Sequence, residues 1–309
     1  MHKPVLTHTT PAVAPALVLL VGILAVSAAS TFIRLAQAMV PSLAIAAWRL
    51  ALASLVLAPF AVARSRSQWQ SLPARDWALL ITSGIFLAIH FYAWISSLAL
   101  TSVTASVVLV TTNPFFVALI GLFLFRQPLA RSMPLALTVA FAGSVLIGWG
   151  DLGAGSNRLL GDLLALLGAV AVACYMLIGQ RLRARLTVLA YIFPVYGTAA
   201  VVLMIASLVS GTQLSRYPPQ AWLWLWLVAL IPQVIGHSAF NWALGYLPAT
   251  FVALAVLGEP IGSTLLAWLF LDETPKAASL IGGVLILTGI AIATLRGRQV
   301  SSSSASTDL

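Results

Sequence analysis

Two stretches of sequence decide the fold: Thr111-Thr-Asn-Pro-Phe-Phe-Val-Ala-Leu-Ile-Gly-Leu-Phe-Leu-Phe-Arg-Gln127 and Leu257-Gly-Glu-Pro-Ile-Gly-Ser-Thr-Leu-Leu-Ala-Trp-Leu-Phe-Leu-Asp-Glu273. Laid over one another, they put Asn113 on Glu259, Pro114 on Pro260 and Leu119 on Leu265, at an offset of 146 residues. The same offset pairs Leu17, Leu20, Gly22, Ala25 and Val26 with Leu163, Leu166, Gly168, Ala171 and Val172. It also pairs Leu98, Thr104, Val110 and Gly143 with Leu244, Thr250, Val256 and Gly289. Apolar residues coincide by composition alone. Matched prolines and glycines at one ungapped offset point to an internal repeat.

The composition says where such a repeat can fold. Of 309 residues, 7% are charged and 61% hydrophobic, with mean hydropathy +1.03. Soluble domains carry about 25% charge, so a soluble enzyme, a disulfide scaffold and a disordered regulator are excluded. The net charge is +9, but the basic residues lie between apolar blocks rather than on one face. A nucleic-acid partner is therefore not expected. The single cysteine, Cys174, lies in an apolar run, and no Cys/His spacing suggests a metal or other cofactor.

Apolar runs of spanning length fall at about 13–33, 43–63, 77–99, 103–125, 133–150, 161–181, 188–209, 222–245, 249–270 and 279–295. Each matches a hydrocarbon core of about 30 Å at about 1.5 Å per residue. The run from Val13 to Ile33 follows Lys3 and contains small residues, as a signal peptide would. Its length and its repeat partner favour a retained helix. The expected fold is an all-α polytopic membrane protein of ten transmembrane helices, with repeats over 13–150 and 158–295. An odd number of spans per repeat inverts one half relative to the other. With the amino terminus inside, Lys3, Arg64, Arg66, Arg75, Arg126, Arg131, Arg181, Arg183, Arg185, Arg296 and Arg298 are cytoplasmic, against Arg34, Arg158, Arg216 and Lys276 outside. That bias places both tails, 1–12 and 296–309, in the cytoplasm. The polar end, Ser301 to Leu309, is expected to be disordered.

Ionisable groups at membrane depth are costly and usually face the bundle interior. Gln233, His237 and Asn241 are spaced by four, a single helical face. His90 and Trp94 share a face in the third span, with Ser97 one turn on. Asn113 and Glu259 each precede a mid-span proline, and Arg49 lies beside Trp48 within the second span. Pro114 and Pro260 lack an N–H and so free the carbonyls of Val110 and Val256. The repeat brings the third span to the depth of the eighth and the fourth to that of the ninth, so these groups converge on a central polar cavity. Blander readings stand beside this one. The histidines and the Gln233 stripe could be interhelical hydrogen-bond glue, the prolines packing kinks, and Arg49 with Glu259 a structural ion pair. Trp222, Trp224 and Trp226 read as an interfacial aromatic belt.

The block from Leu257 to Glu273, its counterpart from Asn113 to Gln127, and Trp48-Arg49 resemble the EamA type of the drug/metabolite transporter superfamily. Two further blocks, His90 to Trp94 with Thr111 to Pro114, and Pro232 to Trp242, are similar to a narrower bacterial subgroup. Arg126-Gln127 departs from the Gly-Glu that the family usually has there. The resemblance implies a secondary transporter of small metabolites such as amino acids, without enzymatic activity, in the bacterial inner membrane. Export by alternating access is expected. The expected substrate site comprises Trp48, Arg49, His90, Trp94, Asn113, Gln233, His237, Asn241 and Glu259. Arg49 would attract a carboxylate, and Glu259 would bind an amine. Glu259, His237 and His90 are the candidates for a coupling proton. A membrane-embedded enzyme acting on a lipid-borne substrate and a passive channel are the alternatives.

Overall fold

The computed structural model describes residues 11, 13–101, 103–124, 126, 129–148, 157–271 and 277–305. Among these residues every regular element is a helix. Seven apolar stretches are long enough to cross a bilayer: Pro15–Gln37, Ser42–Gln70, Ala74–Leu100, Ala105–Phe123, Arg158–Arg183, Val188–Val209 and Pro219–Ala243. Shorter apolar helices at Met133–Leu146, Ala249–Ser263 and Leu280–Ala293 lie where the other three expected spans fall. The chain is an all-α polytopic membrane protein.

Several spans are broken, and the sequence accounts for the breaks. The first is α1 (Pro15–Ser27) and α2 (Ala29–Gln37), bent at Ala28. There the Ser27 hydroxyl bonds back to the Ile23 carbonyl at 2.7 Å, a local competitor of the helix ladder. Next come α3 (Ser42–Gln70) and α4 (Ala74–Leu100), both unbroken. The fourth span divides into α5 (Val103–Val110) and α6 (Asn113–Phe123), with Pro114 in the first turn of α6. Proline is tolerated there because that N–H would have no helical partner anyway. After α7 (Met133–Gly148) come α8 (Arg158–Arg183) and α9 (Val188–Val209). Helix α9 ends on Gly211 at φ +69°, with Thr212 N–H returning to the Ser207 carbonyl at 2.8 Å, a Schellman cap.

The eighth span is α10 (Pro219–Val228), a π-helical segment (Ala229–His237) and α11 (Ser238–Ala243). The ninth divides like the fourth, into α12 (Ala249–Val256) and α13 (Glu259–Leu271). Helix α14 (Ala277–Ala305) completes the fold. It remains helical past Ser301, so the expected disorder does not begin there; the apolar span simply continues its hydrogen-bond ladder into the serines. Residues 1–10, 306–309 and the acidic pair Asp272-Glu273 lie outside the described residues.

The main core joins α1, α3, α4, α8, α9 and α10 through side chains such as Ile45, Leu87, Phe91, Tyr191 and Tyr196. A second, smaller core joins α6, α7, α12 and α14 through Ala118, Ala136, Ala140, Leu254 and Ile286. Here the glycines are needed for close approach. A Cβ on Gly143 would lie 2.4 Å from the Gly282 carbonyl oxygen, and one on Gly289 would lie 2.6 Å from that of Ala136. The 146-residue offset turns one contact into the other. As the position rises along α7 it falls along α14, so these two helices pack antiparallel about a local two-fold axis. The other end of the repeat behaves alike: Gly22 meets Phe240, and Gly168 meets Trp94.

Candidate functional site

Between the sequence halves lies a cavity of about 50 Å³, room for several water molecules. Its wall is built from repeat-related pairs: Val26 with Val172, Ala29 with Tyr175, Trp94 with Phe240, Val110 with Val256, and Asn113 with Glu259. The two helix breaks put the last pairs there. Each interrupted span presents its turn to the cavity, with Thr111 beside Asn113 on one side and Glu259 on the other.

The polar groups differ between the halves. Arg49, from α3, is fully buried. Its Nε donates to Gln233 Oε1 at 2.7 Å, and its guanidinium carbon lies 4.0 Å over the Phe91 ring. Nη1 and Nη2 have no protein partner. Arg49 and Glu259 both line the cavity but form no ion pair within 4.0 Å, so the structural pair weighed above is not made. On Glu259 the backbone carbonyl, not the carboxylate, accepts from Ser27 Oγ at 3.3 Å.

His90 is held by Nδ1 against the Gly168 carbonyl at 2.9 Å. A carbonyl only accepts, so Nδ1 carries the proton, and in the neutral ring Nε2 is the acceptor. The ring lies nearly parallel to Trp94, at 6.1 Å, and 6.4 Å from the His237 ring. The Phe91 ring lies edge-to-face with that of His237 at 5.0 Å. Trp94 Nε1 and Asn113 Oδ1 are buried without a partner. Asn113 Nδ2 reaches the Val110 carbonyl freed by Pro114, at 3.4 Å. Asn241 is held firmly: Oδ1 accepts from the Tyr175 hydroxyl at 2.7 Å, and Nδ2 donates to the His237 carbonyl at 2.7 Å and to Tyr196 Oη at 3.2 Å.

Seven of the nine expected site residues thus line one cavity: Arg49, His90, Trp94, Asn113, His237, Asn241 and Glu259. Two do not. Trp48 donates from Nε1 to the Leu214 carbonyl at 2.9 Å and packs edge-on against Trp222. Adjacent helical residues point about 100° apart, so a helix that turns Arg49 inward turns Trp48 away. Gln233 sits behind the wall on Arg49. The expected single face of Gln233, His237 and Asn241 assumed an α-helix, and the π-helical winding breaks that alignment. Phe91, Tyr175 and Tyr196 were missed because aromatic residues are unremarkable in apolar runs. Arg183 is expected among the cytoplasmic charges. It is buried, and its Nε caps the Asn241 carbonyl at 2.9 Å, as a cation at a helix carboxyl end should.

With this geometry in view, the chain's relatives can be placed. It matches the EamA-like transporter family over residues 14–149 and 159–295, and it belongs to that family. It is 25% identical over 261 residues to the uncharacterized transporter YdfC of Bacillus subtilis, covering 83% of each chain. It is 28% identical over 242 residues to an uncharacterized transporter of Archaeoglobus fulgidus, covering 76% of this chain and 79% of the other. A solved crystal structure at 21% identity superposes with a TM-score of 0.74 over 93% of this chain and 98% of that one. The fold is shared, and the chain is a membrane transporter.

Proposed function

We propose that the protein is a secondary transporter, working as an exporter, of small polar metabolites such as amino acids across the bacterial inner membrane. Two inverted five-helix halves, 13–150 and 158–295, rock about the cavity, with both termini in the cytoplasm. The reciprocal α7–α14 contact supports inversion, because a two-fold axis between antiparallel helices lies across them. One observation carries the substrate reading: a fully buried Arg49 has two guanidinium nitrogens without a protein partner on the wall of a cavity shared by both halves. Burying a cation without a counter-ion costs several kcal/mol on an order-of-magnitude view. A substrate carboxylate supplies that counter-ion. Asn113 Oδ1 and the Glu259 carboxylate are acceptors suited to an ammonium group, and Glu259, His237 and His90 are the groups able to carry a coupling proton.

The test is a metabolite profile of cells with and without the protein, inside and outside. The expected result is depletion of one or more amino acids inside and their accumulation in the medium, without covalent change. Chemical modification of a lipid or metabolite in place of redistribution would contradict transport and favour an enzyme.

A further inference from the structure

The repeat is continuous at residues 83–91, where α4 is a regular α-helix, but the equivalent residues 229–237 are π-helical. Pro232 stands where α4 has Phe86. Inside a helix, proline loses a backbone bond and collides with the carbonyl four residues back. A wider π turn relieves that collision, and such turns are frequent at functional sites. In this turn lies Gln233, fully buried, with Oε1 on Arg49 Nε. Phe91 covers the guanidinium face. The head group is therefore held at its Nε edge and on one face, while its two terminal nitrogens stay unengaged.

We propose that the π-helical turn delivers Gln233 to Arg49, making Gln233 a positioning residue that fixes the guanidinium so that Nη1 and Nη2 are reserved for a substrate carboxylate. The inference rests on the reading of Arg49 as carboxylate anchor. It also explains why the partner is an amide. A neutral oxygen orients the cation without neutralising it, whereas a carboxylate at 233 would satisfy Arg49 internally and leave nothing for the substrate.

The experiment follows thermal unfolding of the purified full-length protein in detergent, at matched ionic strength. The additives are a mixture of the protein L-amino acids and, separately, the same compounds as carboxamides. Wild type is expected to be stabilised by the acids and not by the amides. Gln233→Glu should lose the response to the acids while melting, without additive, no lower than wild type. Gln233→Met, which keeps the volume and removes the oxygen, should respond with a half-saturating concentration about tenfold higher, the loss expected for one charge-assisted hydrogen bond. A role confined to packing would not separate acids from amides, nor Glu from Met. Folded Gln233→Glu and Gln233→Met proteins that both respond as wild type would overturn the positioning role. Loss of the acid response in Arg49→Met alongside those normal variants would leave the anchor standing. A wild type that ignores acids and amides alike would overturn the carboxylate reading and this inference with it.

Discussion

Guanidinium groups are expensive to bury, and Arg49 is buried completely beside a neutral amide and a phenyl ring. Glu259, across the same cavity, has no ion-pair partner among the described residues. The two ionisable groups thus line one cavity without pairing with each other. If Glu259 carries the coupling proton, Glu259→Gln removes the response of transport to an imposed pH gradient while saturable exchange persists. A full response retained by Glu259→Gln in proteoliposomes would move the proton to His237 or His90. At this scale the sequence was informative where chemistry is conspicuous. A histidine, amide or carboxylate inside an apolar run stands out, and five such residues, His90, Asn113, His237, Asn241 and Glu259, meet at the cavity. Tyr175 and Tyr196 do not stand out, because tyrosine belongs to apolar spans as readily as phenylalanine does, and only folding shows their hydroxyls on Asn241.

Helices, not residues, explain what was misplaced. Periodicity gives a helical face only when the winding is known, and Pro232 changes it. The breaks at Thr111–Thr112 and Leu257–Gly258, by contrast, follow from the matched prolines quoted first. The contact of α7 with α14 depends on the absence of two side chains. Gly143→Ala would set a methyl group 2.4 Å from a backbone oxygen that belongs to a packed helix. We expect a cost of roughly 1–3 kcal/mol, read as a lower unfolding temperature in detergent, and a comparable cost for Gly289→Ala through the repeat-related contact. Unchanged melting in both variants would mean that these helices are not packed as described.

Across the whole molecule, backbone symmetry and chemical asymmetry coexist. The walls are repeat-related, as Val26 with Val172 and Val110 with Val256 show. The chemistry lies where the halves disagree: Arg49 against Val195, His237 against Phe91, Tyr175 against Ala29, and Glu259 against Asn113. A symmetric scaffold would suit two interchangeable access states, and the asymmetric groups would give the proposed site a direction for its ligand. If substrate crosses by way of this cavity with Arg49 as its anchor, transport should fail when the guanidinium is removed. The most direct measurement is counterflow of radiolabelled amino acids in proteoliposomes containing wild type or Arg49→Met, with folding of both checked by thermal unfolding. Saturable counterflow in wild type and its loss in a folded Arg49→Met are expected. Equal counterflow in the two, or flux through wild type that never saturates, would contradict this reading.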